Sequence, residues 1–175
     1  MITAQELKNA RENAAKALAN AGIALTPAES ANIEVADFGL SDLAALGLQL
    51  VTYINTERVC AKELVMTPWQ CCPEHRHLEK EETFRCRAGV VYLYVGGEVN
   101  SKPQLQGLEK YREYLTAAQE VVLRPGEQYT LMPDTLHWFR AGAEGAVVSE
   151  FSTRSTDESD IFTDPRVERA TRVEG

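Results

Sequence analysis

The chain is short of histidine, cysteine and positive charge, and each shortage narrows what it can do. Its 175 residues contain no apolar run near the roughly 18 residues a membrane span requires. The first residues, MITAQELKNARENAAKALANAG, form an alanine-rich amphipathic pattern without the apolar centre of a secretory signal. A cytoplasmic protein with no membrane partner is the expectation. Eighteen basic residues stand against 26 acidic ones, for a net charge of −8. That sign repels a phosphate backbone, so nucleic acid is not an expected partner. The four cysteines, Cys60, Cys71, Cys72 and Cys86, lack the spacing of a disulfide framework, and the adjacent pair would strain to bridge itself. They read as reduced thiols. Repeats, low-complexity tracts and linkers are also missing, and the length suits a single domain able to bury a core without staples.

What is present divides into three stretches. Residues 1–44 carry helix signals: Thr3 with Glu6 has capping-box form, and TPAES places Pro27 early in a second short helix. Over residues 45–152 the character changes to segments rich in Val, Tyr, Ile, Leu and Phe, punctuated by Gly, Pro and Asn. LQLVTYIN, RVCAKELVMTP, ETFRCR, VVYLYVGG, EVVLRP, QYTLMP, LHWFRA and AVVSEFS each have strand length. Short, even spacing of such segments predicts an all-β barrel or jelly roll with a helical N-terminal extension. The stretch GGEVNSKPQLQGLEKYREYLTAAQE reads as a polar loop ending in a short helix, and residues 153–175 as a charged C-terminal arm.

Two of the chain's three histidines sit one residue apart in CCPEHRHLEKEETFRCRAG. In an extended segment residues i and i+2 share a face, so the imidazoles of His75 and His77 can converge on one ion. Glu82 follows where a reversing chain could return its carboxylate to the same place, and Gly89 suits a tight turn beyond it. His137 opens a later strand after the MPDT turn. Any one of these histidines alone is more often a surface or core residue. Together, three neutral imidazoles and a carboxylate suit a divalent transition ion such as Mn, Fe, Zn, Co or Ni, with room left for substrate or water.

The spacing His-x-His-x4-Glu-x6-Gly, from His75 to Gly89, resembles the first signature of the cupin superfamily, and His137 falls where the second signature places its histidine. Departures occur at turn and packing positions: Trp69 and Asp134 where the patterns expect glycine, Met132 at a proline position, Ala141 at an asparagine position. The stretches IEVADFGLSDLAALGLQLVTYINTERVCAKELVM, PEHRHLEKEETFRCRAGVVYLYV and STRSTDESDIFTDPRV together resemble the D-lyxose isomerase family of small bacterial cupins. The resemblance implies a cupin β-barrel whose arm closes over its mouth. It also implies an aldose–ketose isomerase acting on D-lyxose and D-xylulose, and on D-mannose and D-fructose, through a cis-enediol. The small-molecule partner is then a sugar, the cofactor one divalent ion, manganese first, held by His75, His77, Glu82 and His137, and the assembly a homodimer.

Such a reaction needs a base beside the reacting carbons. Glu150, in VVSEFS, is the candidate if its strand turns it inward with Val148 and Ser152. Lys80, between the ligands, could stabilise or protonate a sugar oxygen, or be a solvated loop lysine. Asp160, Asp164 and Arg166 could bind sugar hydroxyls, with Asp160 and Arg166 favoured, or hold the arm down through ion pairs. Glu79 and Glu81 are expected to face solvent, the cysteines to pack as small hydrophobes, and Trp138 to lie in the core. An iron-dependent cupin dioxygenase shares nearly the same ligand set, and a non-catalytic sugar-binding cupin is a third reading.

Overall fold

The computed structural model describes residues 1–174; Gly175, at the end of the expected arm, lies outside the described residues. Helix α1 (Ala4–Asn20) begins at a capping box in which Glu6 N donates to Thr3 Oγ1 at 3.1 Å and Thr3 N donates to the Glu6 carboxylate at 2.7 Å. Helix α2 (Pro27–Ala31) repeats the device with Thr26 and Glu29. The strands are β1 (Glu34–Ala36), β2 (Leu48–Asn55), β3 (Cys60–Met66), β4 (Cys71–Arg76), β5 (Glu82–Val95), β6 (Gln119–Leu123), β7 (Gln128–Leu131), β8 (His137–Ser152) and β9 (Ile161–Phe162). A 3-10 turn, Glu109–Tyr114, occupies the long loop before β6. No helix among the described residues is long and apolar enough to cross a membrane.

The pairings between these strands are antiparallel, and β5 and β8 run through both faces of the fold. Residues 82–89 of β5 and 146–152 of β8 pair with each other and, on their outer sides, with β7 and with β3, which continues to β2 and β1. Residues 91–95 and 137–141 of the same strands pair with each other and with β6 and β4, and β4 continues to β9. Two sheets thus share two bent strands and close on one interior, the jelly-roll barrel expected from the spacing.

The bend lies at Gly89 and Gly145, both in the left-handed region with φ of +71° and +78°. Gly89 therefore marks a corner inside β5, with register shifts on either side, and the tight turn expected there is not formed. The two backbones touch: a Cβ on Gly89 would lie 2.0 Å from Gly145 O. Gly89→Ala combines that overlap with a left-handed φ and should destabilise the fold by about 3 kcal/mol, read as a lowered urea midpoint.

Alternation along each strand fills three apolar clusters. Leu50, Leu64, Phe84, Leu93, Phe139 and Val148 face the interior. Val51, Val65 and Val147 face the opposite way and are covered by Ala14 and Leu18 of α1. Cys71, Tyr94 and Trp138 back the second sheet and are covered by Leu108, Tyr111 and Leu115 of the long loop. All four cysteines are free and buried. Each sheet has its own outer cover, so the barrel interior is left to line the site.

Candidate active site

Strand β4 would alternate Cys72 and Glu74 inward, but a bulge between Cys72 and His75 breaks the register with β8. Pro73, which cannot donate to a ladder, sits in this irregularity. The shift turns Glu74 outward and His75 inward, and the chain carries His77 to the same side. Glu74 is buried under the loop and arm, where it accepts from Thr116 N at 2.7 Å, Thr116 Oγ1 at 2.9 Å, Ala117 N at 2.7 Å and Thr163 Oγ1 at 2.8 Å. The strand carrying two histidines is thereby fixed from behind.

His75, His77 and His137 form a cluster whose nearest ring nitrogens lie within 4.8 Å of one another, a group that could hold a metal ion. Glu82, at the start of β5, reaches across the interior: its Oε1 lies 3.3 Å from His77 Nε2 and 3.1 Å from His137 Nε2. Each imidazole has a partner on its other nitrogen. His75 Nδ1 lies 2.7 Å from Pro73 O, His137 Nδ1 lies 2.9 Å from Thr135 O, and His77 Nδ1 lies 2.6 Å from Asp160 Oδ1. These acceptors favour protons on Nδ1, which turns the Nε2 lone pairs of His77 and His137 toward the Glu82 oxygen. Lone pairs facing a carboxylate repel unless positive charge lies between them. Glu82 Oε1 and His137 Nε2 are accordingly both buried without a hydrogen-bond partner. Three imidazoles and one carboxylate around two orphaned atoms fit a divalent ion.

Without an ion between them, the carboxylates favour a proton on the ring in its place, as at His77. Burial alone would lower the His77 pKa, but the Asp160 and Glu82 carboxylates outweigh it and raise it to about 9. His75, further inside, is pushed well below the ordinary histidine value by burial and by His137 and His77 beside it. Burial opposes ionisation of Glu82, yet Lys80, His137 and His77 hold it well below the usual carboxylate range.

Lys80 is not the solvated loop lysine of the bland alternative: it is 7 % exposed, with Nζ 2.6 Å from Glu82 Oε2 and 2.7 Å from Glu150 Oε1. Burial would lower its pKa, but Glu150 and Glu82 together raise it above the lysine range, so it stays an ammonium. Glu150 does face inward on β8, beside Val148, and is 4 % exposed. One ammonium thus joins the carboxylate of the histidine cluster to the carboxylate expected as base. Asp160 borders the same cavity, but its side chain is committed to His77.

Arg166 does not line the cavity. Its guanidinium holds Asp164 at 2.9 Å and 2.7 Å and lies 4.8 Å from the Tyr114 ring centre, so this pair fastens the arm to the long loop. This placement agrees with the tail-holding alternative and does not bring Arg166 to the histidine cluster. Two charged residues of the cavity lie outside the sequence expectations, Lys62 and Arg169. Lys62 is buried on β3 and donates to Ser155 Oγ at 2.9 Å, and Arg169 reaches in from the arm. A lysine two and four residues before the inward Leu64 and Met66 was the available signal for the first; nothing in the charged arm singled out the second. Cys72 also borders the cavity, where burial raises its thiol pKa well above normal and keeps it neutral.

The two glycine departures keep glycine-like backbones. Trp69 and Asp134 have φ of +62° and +60°. Trp69 stacks on Tyr92 with ring centres 6.5 Å apart, and Asp134 pairs with Arg76 at 3.1 Å while its N–H donates to His77 O at 2.7 Å. Side-chain contacts hold these turns in a conformation that glycine would adopt freely.

Known proteins resemble this chain over most of its length. The family model described as D-lyxose isomerase matches residues 27–175. The D-lyxose/D-mannose isomerase of Thermosediminibacter oceani is 55% identical over 180 residues, 99% of each chain. The D-lyxose ketol-isomerase of Thermofilum sp. is 55% identical over 179 residues, again 99% of each. Among solved structures, the ligand-free L-ribose isomerase of Cellulomonas parahominis superposes with a TM-score of 0.83 at 17% identity, covering 99% of this chain and 98% of that one. Identity that low speaks for the fold alone, the cupin barrel. A family match over most of the length, joined to relatives alike from end to end, places this chain in the D-lyxose isomerase family.

Proposed function

We propose that the chain is a metal-dependent aldose–ketose isomerase that interconverts D-lyxose and D-xylulose, with D-mannose and D-fructose as a second pair, through a cis-enediol. Family membership supports the reaction class. The observation that carries the mechanism is the chain His137–Glu82–Lys80–Glu150, with contacts of 3.1, 2.6 and 2.7 Å. It sets a carboxylate that is not part of the cluster next to one that is.

His75, His77, Glu82 and His137 would hold the divalent ion, manganese in this reading. When bound, the ion would supply Lewis acidity that polarises the sugar carbonyl and stabilises developing oxyanion charge. Glu150 removes the proton from C2 of the aldose and returns one to C1, while the O2 proton passes to O1. Lys80, kept cationic by its two carboxylates, orients Glu150 and donates to oxygen as negative charge develops there. The apolar walls formed by Phe84, Phe139 and Phe162 keep bulk water from the enediol. A homodimer belongs to the same proposal. It is supported by Tyr53 and Phe151, 42% and 51% exposed on the strands of the first sheet.

Protein, manganese and D-lyxose incubated in heavy water under argon should yield D-xylulose carrying deuterium at C1. Unlabelled xylulose would mean a hydride shift in place of the enediol, or an enediol whose transferred proton never exchanges with solvent. No xylulose, with oxygen consumed once iron and air are supplied, would favour the dioxygenase. Sugar bound without turnover would leave a binding module.

A further inference from the structure

We propose that Asp160 is a positioning residue through which docking of the C-terminal arm and retention of the divalent ion depend on each other. This rests on the metal reading above. The three imidazoles are oriented in two different ways. His75 and His137 use backbone carbonyls two residues away, at Pro73 and Thr135, so their partners come with their own local chain. His77 takes its partner from a carboxylate 83 residues later in sequence, at 2.6 Å. Of the three hydrogen bonds that orient the rings, this one comes from the arm.

The arm is seated on the same strand. β9 pairs with β4 through His75↔Phe162 and Arg76↔Ile161, and the Phe162 ring centre is 5.3 Å from that of His75. Thr163 N donates to Glu74 O at 3.0 Å, and its hydroxyl donates to Glu74 Oε1 at 2.8 Å. A seated arm presents Asp160 to His77 Nδ1, which fixes the ring and keeps the Nε2 lone pair aimed at the cluster. By linkage, a ligand that binds the oriented ring more tightly must stabilise the seated arm by the same factor.

The test uses the full chain with manganese and no sugar, so its outcome does not depend on the substrate. Manganese affinity is measured by competition with a chelating indicator, and hydrogen exchange of residues 156–163 is followed with and without manganese. Asp160→Ala should weaken affinity about 10–100-fold, the range for loss of a histidine's outer partner. Asp160→Asn, whose amide oxygen still accepts from Nδ1, should retain part of it. Thr163→Val, which loosens the arm without touching His77, should weaken it as well. Manganese should slow exchange of the arm in the wild type and fail to do so in Asp160→Ala. Thermal melts of the metal-free variants should still show one cooperative transition well above the temperature of the affinity measurement, so that lost affinity reports the unoriented ring and not a lost fold. Unchanged affinity in Asp160→Ala, or arm exchange indifferent to manganese, overturns the proposal. Should the alanine variant not fold, unchanged affinity in both Asp160→Asn and Thr163→Val does so. Intact coupling in a protein inactive on D-lyxose would defeat the substrate reading and leave this one standing.

Discussion

Glu150→Gln is expected to lower kcat for D-lyxose about 10²–10⁴-fold, the usual share of a positioned general base, with manganese content unchanged. The amide keeps the volume of the carboxylate on the inner face of β8, and its oxygen can still accept from Lys80, which stands 2.7 Å from Glu150 Oε1. What it loses is the ability to take a proton from carbon. KM should move far less than kcat, because the change removes an interaction required in the transition state rather than a handle on the ground-state sugar. Steady-state kinetics together with metal analysis on the same preparation decide the matter. Parallel losses of metal and turnover would make Glu150 a structural member of the ion-pair chain and move the search for the base elsewhere.

Glu82→Gln should have an equally large effect by another route. It removes the carboxylate set against the Nε2 atoms of His137 and His77, at 3.1 and 3.3 Å. It also leaves Lys80 with Glu150 as its one remaining carboxylate of the pair described. A neutral amide oxygen in a buried site is a far weaker partner for a divalent ion than a carboxylate. Manganese affinity should therefore fall by more than the roughly 100-fold that bounds the loss of an outer partner. Activity at trace manganese should vanish and return in part at high manganese. Titration calorimetry across a range of metal concentrations measures both. Wild-type affinity in Glu82→Gln would reduce the centre to its three histidines.

Much of this centre could be read from residue spacing. His75 and His77 share a face because the chain there is extended, and the carboxylate and third histidine needed only to be complementary in chemistry. The two helix starts were equally plain, since a capping box is a local device. The long strands were not. Sequence patterns divide β5 into ETFRCR and VVYLYVGG, and β8 into LHWFRA and AVVSEFS. A glycine at φ +71° resembles a turn in sequence even where the ladder continues past it. β4 is absent from the strands expected by sequence; it carries Pro73, which a central strand accommodates only at an irregularity such as the bulge between Cys72 and His75. β1 and β9 are too short to show a period. The role of Asp160 was out of reach for a different reason: a polar residue in a charged arm has many possible partners, and only the packing of β9 on β4 selects His77. The same packing directs Arg166 away from the cavity.

The corner at Gly89 and Gly145 has a geometric consequence for catalysis. Glu82 is matched to Ser152 at one end of the β5–β8 ladder and His137 to Val95 at the other. Laid straight, that ribbon would hold the two residues ~40 Å apart, at about 3.3 Å per residue. Folded like the covers of a book along its glycine spine, it brings the Glu82 and His137 side chains to 3.1 Å. A cation placed there acts as the clasp. Small changes of angle at the spine, distant from any reacting atom, are magnified at the open edge, so catalytic tuning in this architecture can be sought in residues that never see the sugar.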